Sequence, residues 1–388
     1  MTFTLAVRNL FHDKASLAVT LVGIIFSVVL VSIQLGLYYG SHKLILAMIE
    51  HTRADLWIVP IKTKSFDDPM LLPGRERHVA MSVPGVDDAF DLVVGFLEWR
   101  KQGGGAIPVV LVGSSLADDN LGPWNVVKGD VAELTLPNAV AVDETYLREL
   151  DVERGIGDSG QVAGQRARVV AITRGIRSFT TLPYVFTRID QARSYVGATA
   201  EAASFVGIRV TPGVDAAEVA GALAAKLNNA EVGKIESFSH RAEVISSEVF
   251  RDRSIQRWLY GTGAGAALLT GAALGLIVGT VIVAQTLYAS TKDHLVEFAT
   301  LRALGASASY IHKVILVQAI FSAIVGFLVG IALSYLIIEV TRETSLVIVI
   351  APLLAVQIFG LTLAMCVISA LSAIFKVTRI DPAMVFSR

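Results

Sequence analysis

The side chains that could do chemistry are few and scattered. His42, His51, His78 and His240 fall between the first and second long apolar runs, and none belongs to an HExxH pair. No Gly-x-Ser-x-Gly elbow occurs, and the single cysteine, Cys366, lies inside an apolar run. Asp67-Asp68 and Asp118-Asp119-Asn120 are rich in acceptors, but such clusters are also ordinary turns. No metal and no catalytic constellation is expected. No Gly-x-x-x-x-Gly-Lys-Ser/Thr is present, so the chain carries no P-loop. A net charge of −1 and the lack of a basic cluster interleaved with aromatics set nucleic acid aside.

What must position these residues is a membrane architecture. Leu17 to Gly40, Trp258 to Thr291, Val314 to Ile338 and Thr344 to Phe375 contain no charged residue or histidine. Each exceeds the roughly 20 apolar residues that a helix needs to cross a bilayer. The first run is too long for the h-region of a signal peptide, and Tyr38-Tyr39-Gly40-Ser41 is no cleavage site, so it reads as an uncleaved anchor. Arg8 and Lys14 precede it, Lys292, Arg302 and Lys313 separate the second and third runs, and Lys376, Arg379 and Arg388 follow the fourth. This bias puts both termini in the cytoplasm and the large interval outside it.

The expected fold is an α-helical membrane protein with four transmembrane helices and an extracytoplasmic α+β domain inserted between helices 1 and 2. The boundaries read as an interfacial helix at 1–16, spans at 17–40, 259–288, 314–338 and 350–375, and the domain with helical stalk ends at 41–258. A cytoplasmic coupling loop occupies 289–313, a short outer loop 339–349 and a cytoplasmic tail 376–388. Phe3, Val7, Leu10 and Phe11 form one apolar stripe, which suits a helix on the membrane surface, favoured by the interruption at Asp13-Lys14, or else the first turns of a longer first span. In the domain, Leu92–Arg100 and Ile107–Gly113 read as a hairpin, as do Gly160–Ala163 and Ala167–Thr173. Asp55–Pro60, Ala139–Val142, Tyr184–Thr187, Phe205–Val210 and Ile235–Phe238 read as further strands. Glu144–Leu150, Asp190–Tyr195 and a segment capped by Asp215 read as helices. His240 to Trp258 reads as one unbroken helical stalk running into the second span.

No span carries an ionisable residue, which argues against proton-coupled transport and voltage sensing. Gln34, Gln285, Gln318 and Gln357 suit interhelical hydrogen bonds. Gly271, Gly275 and Gly279 recur every four residues, so a neighbouring backbone can come close, either within the chain or across a homodimer. Arg174, Arg177 and Phe179 share a loop between strands, which suits a partner or gate contact as well as a plain solvated loop.

Glu297-Phe298-Ala299-Thr300-Leu301-Arg302-Ala303-Leu304-Gly305-Ala306-Ser307 resembles the glutamate and ALGAS signature of the FtsX/MacB permease superfamily. Arg379-Ile380-Asp381-Pro382-Ala383 is similar to that family's closing motif, and Arg8-Asn9-Leu10 to its opening one. Gly122-Pro123-Trp124-Asn125 and Arg174-Gly175-Ile176-Arg177-Ser178-Phe179-Thr180-Thr181 resemble stretches of the DevC group. The resemblance implies a MacB-like periplasmic core domain and a type VII ABC permease. It implies two copies of the permease, a separate cytoplasmic ATPase dimer that binds ATP and Mg, and a bacterial inner-membrane location. It also implies a periplasmic membrane-fusion adaptor, an outer-membrane channel and membrane lipid as partners.

By that resemblance Glu297, Arg302, Ala303, Leu304 and Gly305 form the ATPase contact. The chain would be a non-catalytic permease subunit of an exporter working by mechanotransmission on a lipid, glycolipid, peptide or drug. A signalling scaffold that activates a periplasmic partner such as a cell-wall hydrolase is the alternative. Such scaffolds generally have smaller outer domains than this one.

Overall fold

The computed structural model describes residues 14–116, 120–231, 242–293, 300, 307–342, 344 and 346–378. The chain divides into two units, a helical one and an inserted one that spans residues 41–264 and takes in Thr344.

The helical unit is built from α1 (Lys14–His51), α6 (Ala264–Asp293), α7 (Ala308–Val340) and α8 (Pro352–Thr378). All four are long and apolar enough to cross a membrane. They are apolar around the whole circumference rather than along one stripe, as lipid-facing helices must be. Pro352 opens α8 at a position where its missing N–H costs nothing. The unit's core joins Ile24, Val28 and Val31 of α1 to Val283, Ile315, Ile358 and Cys366. Small residues bring the backbones together: Ser27 Oγ donates to the Gly275 carbonyl at 2.8 Å, and Ser369 Oγ to the Thr280 carbonyl at 2.9 Å. The segment before α8 is tied to α1 by Val349 N–H donating to the Gly36 carbonyl at 3.0 Å.

The inserted unit is α+β, as the alternating patterns predict. Its strands are β1 (Leu56–Pro60), β2 (Val86–Arg100), β3 (Ala106–Ser114), β4 (Val126–Gly129), β5 (Ala139–Asp143), β6 (Ser159–Val162), β7 (Gln165–Thr173), β8 (Tyr184–Arg188), β9 (Phe205–Val210) and β10 (Ala242–Ser246). Its helices are α2 (Arg75–Met81), α3 (Ile189–Val196), α4 (Ala216–Glu231) and α5 (Ser247–Ile255). The strand order is β10-β1-β9-β2-β3-β8-β5-β7-β4, with β6 paired to β2 and β7.

One long strand joins two lobes. Residues 86–92 of β2 pair with β9, and residues 93–100 pair with β3. The first lobe packs Leu56, Ile58 and Val206 against Ala80 of α2 and Leu223 of α4. The second packs Val109, Leu111, Val140 and Val185 against Ala192 and Tyr195 of α3. A third cluster runs across both lobes, from Trp57 and Phe90 to Val110 and Phe186, and takes in Met48 and Ile49 of α1 and Phe250 of α5. Side chains of β1 alternate between these cores, so all five of its residues are buried.

Three expectations are corrected. Residues 240–258 are not one helix: Ala242–Ser246 is a strand, and only then does α5 begin. The β-branched Val244 and Ile245 suit a strand, and Ser246 caps the helix by accepting from Val249 N–H at 3.2 Å. Nor does the stalk run unbroken into the second span. A π turn at Gln256–Tyr260 ends at Gly261, and Gly263 takes a left-handed φ of 78° before α6 starts. Glu144–Leu150 forms only a 3-10 turn at Glu144–Tyr146. The expected surface helix, the strand at 235–238, Asp118-Asp119 and the tail motif fall outside the described residues, save for the last three residues of 1–16.

Candidate functional site

The inserted unit receives the chain from α1 and returns it through α5 at one point. His51 ends α1 and β1 begins at Leu56; β10 runs antiparallel to it, with Leu56 opposite Ser246, and leads directly into α5. Ser247, the first residue of α5, latches the two. Its N–H donates to the Asp55 carbonyl at 3.0 Å and its Oγ to the Ala54 carbonyl at 2.5 Å. The same Oγ accepts from Trp57 Nε1 at 2.8 Å. Trp57 is fully buried, edge-on to Phe250 at 5.2 Å and Phe205 at 6.4 Å. Arg253 of α5 forks onto Glu243 of β10 at 2.7 and 2.9 Å, stiffening the turn from strand to helix.

Two loops of the second lobe reach the same chain ends. Trp124 stacks on His51 with centroids 3.8 Å apart and planes 9° apart. Phe179 lies 5.6 Å from Trp258, in the π turn after α5. Arg177 Nη1 donates to the carbonyl of Thr344, between α7 and α8, at 2.8 Å. The loops are joined to each other by Arg174 N–H donating to the Asn125 carbonyl at 3.1 Å. Asp143 at the end of β5 holds the second loop in shape: it accepts from Ile176 N–H at 2.8 Å, Thr173 Oγ1 at 3.1 Å and Thr145 Oγ1 at 2.7 Å. The lobe therefore grips the segments leading out of α1, into α6, and between α7 and α8.

Residues 17–226 match the MacB-like periplasmic core domain, and residues 269–382 match the FtsX-like permease C-terminal region. The chain belongs to the FtsX/MacB-type ABC transporter permeases. It is 22% identical over 355 residues to an uncharacterized ABC transporter permease of Methanocaldococcus jannaschii, covering 88% of this chain and 84% of that one. Among solved structures it resembles the periplasmic region of MacB from Actinobacillus actinomycetemcomitans, at 9% identity and TM-score 0.40, covering 54% of this chain and 96% of that one. It also resembles the extracellular domain of the noncanonic ABC-type transporter YknZ from Gram-positive bacteria, at 14% identity and TM-score 0.38, covering 50% and 99%.

In this permease the residues singled out from sequence fall into three groups. Glu297, Arg302, Ala303, Leu304 and Gly305 lie outside the described residues. Gly271, Gly275 and Gly279 face α1 and α8 of their own chain: a Cβ on Gly271 would meet Gln34, and one on Gly279 would meet Met365 and Ser27. Arg174, Arg177 and Phe179 are engaged inside the chain, Arg174 by Glu144 at 2.5 and 3.1 Å. Sequence reasoning missed Trp57, Ser247 and β10. The adjacent β-branched Val244 and Ile245 were the available signal, masked by the helix-like polar stretch that follows.

Asp67 is not the cation-attracting turn that its neighbour Asp68 suggests. It is buried and accepts from Tyr184 Oη on β8 at 3.0 Å. Burial raises its pKa to about 6, although the Tyr184 hydrogen bond pulls the other way. A folded-state value above the usual 3.8 favours the protonated fold, so the stability this gives is complete below about pH 4 and is lost as pH rises through 6. The loss is on the order of 3 kcal/mol at pH 7 and above. Unfolding of the permease is therefore expected to need less denaturant at pH 7.5 than at pH 5. Asp67→Asn is expected to flatten that fall, as measured by tryptophan fluorescence across the pH series.

Proposed function

We propose that the chain is the permease subunit of an ATP-driven exporter that works by mechanotransmission. A separate cytoplasmic ATPase would drive it, both termini would face the cytoplasm, and the inserted domain would stand on the far side of the inner membrane. The observation that supports this best is the packing, inside the inserted unit, of its two loops against His51, Trp258 and Thr344. A movement of the helix ends must be taken up by β1, β10 and the two loops, because these contacts are buried or hydrogen-bonded rather than slack.

The helix α1 is continuous for 38 residues, whereas the route through α5 and α6 is interrupted at Gly261–Gly263. In this reading α1 transmits and the α5–α6 link yields. The chain acts as a homodimer and performs no chemistry itself; ATP and Mg belong to the partner. Its substrate is an amphiphile such as a lipid, glycolipid, peptide or drug, handed to a periplasmic adaptor and an outer-membrane channel.

The test is Glu297→Arg in a complex reconstituted with its ATPase. Substrate-stimulated ATP turnover should fall at least tenfold while the chain still inserts and folds. Normal stimulation would remove Glu297 from the coupling contact. Capture of a peptidoglycan hydrolase with the complex, in place of an adaptor and channel, would turn the reading toward signalling.

A further inference from the structure

Where β2 passes from the first lobe to the second, the two lobes enclose a cleft of about 230 Å³. Arg77 of α2 and Asp88 and Asp91 of β2 line it from one lobe, and Ser115, Asn120 and Arg193 of α3 from the other. Its polar groups are unevenly matched. Asp88 is taken up by Arg209 and by Ala89 N–H, the latter at 2.8 Å. Asp91, only 9% exposed, accepts from Arg193 Nη2 at 2.9 Å through Oδ2, while its Oδ1 is buried without a partner. Asn120, also 9% exposed, donates to Ser115 Oγ and leaves its other amide atom unmatched. Arg77 anchors its Nε on the Ala89 carbonyl at 2.9 Å and brings the rest of an exposed guanidinium to the rim.

Buried polar atoms without partners are uncommon and costly in native folds, at roughly 1–3 kcal/mol each. Here two lie on residues of one cleft between two lobes, one of the kinds of place where ligands preferentially bind. Among the described residues the formal charges of the lining cancel, two arginines against two aspartates, so a ligand of one sign alone leaves one pair unanswered. A ligand that carries both signs answers both.

We propose that this cleft binds a small zwitterionic group, an ammonium against Asp91 and Asn120 and a phosphate or carboxylate against Arg77. Burial raises the pKa of Asp91 against the pull of Arg193 and Arg77, and an incoming ammonium would offset that burial. At roughly 30 Å³ per water, the volume is that of some seven or eight waters, which suits a headgroup rather than a whole lipid. Such a group occurs on an ethanolamine phospholipid and on a free amino acid. The proposal stands independently of export, since it concerns binding alone.

The test is calorimetric titration of the full chain, in a detergent without headgroup amines, with O-phosphoethanolamine and separately with β-alanine. Saturable binding of either supports the cleft, and the stronger probe names the source. Asp91→Asn should weaken it at least tenfold. Arg77→Gln, at the exposed rim, should weaken it about as much, with the unfolding midpoint of each variant measured alongside. No saturable heat with either probe would overturn the proposal, and so would binding that both variants leave unchanged.

Discussion

Replacement of Trp57 by alanine is expected to lower the unfolding free energy of the permease by about 3–5 kcal/mol. The side chain is fully buried in the cluster shared by both lobes and both stalk ends, so its removal leaves a cavity beside Phe205 and Phe250. It also deprives Ser247 Oγ of its donor. Denaturant titration of the purified full chain measures this directly, and a loss below about 1 kcal/mol would show that the cluster collapses to fill the gap. Trp57→Phe separates stability from transmission. The ring keeps most of the apolar volume, while the N–H to Ser247 is lost, at a cost of about 1 kcal/mol. In the proposed mechanism that bond ties β1 to the start of α5. Trp57→Phe is then expected to fold near normally and to couple ATP turnover to substrate several-fold less well. Full coupling in Trp57→Phe would move the transmission path to the Trp124 and Phe179 contacts.

The second large effect is expected at Gly279. Even an added Cβ would lie 2.6 Å from Met365 Sδ and from Ser27 Oγ, and 2.7 Å from Ser27 Cβ, which cannot rotate away. The helices must then separate, and Gly279→Leu should cost roughly 1–3 kcal/mol or more. Gly275 is a control one turn earlier. Its added Cβ would meet the Leu30 side chain at 3.0 Å, and a flexible leucine end can give. Gly275→Ala should be tolerated, helped by the better helix propensity of alanine. Melting of the detergent-solubilised chain, read together with its oligomeric state on a sizing column, distinguishes two outcomes. A lower melting temperature with the dimer fraction unchanged is the expected one. A dissociated but equally stable protomer would instead mark the row as a seam between copies.

The four spans were legible because a bilayer selects on composition alone: a run without charge long enough to cross can be counted. Most of the strands were legible for a similar local reason. Phe205–Val210 was read to the residue, and the hairpin strands to within two residues except that β2 begins at Val86 and not at Leu92, because alternation and glycine turns are short-range signals. The Trp124 and Arg174–Thr181 stretches stood out by resemblance, but nothing local says that one stacks on His51 and the other reaches Trp258 and Thr344. Those partners are 73, 79 and 167 residues away in the chain (124 − 51, 258 − 179 and 344 − 177).

The sequence by itself determined the class of protein: four apolar helices and a domain inserted after the first. Only the tertiary structure decided which distant segments meet. That β10 is a strand depends on β1 lying beside it to supply hydrogen bonds, and the paired residues Leu56 and Ser246 stand at opposite ends of the inserted domain's sequence. Which side of α6 its glycines face depends likewise on where α1 and α8 pack. Composition acts on each segment separately, whereas a pairing or a close approach is a property of two segments at once.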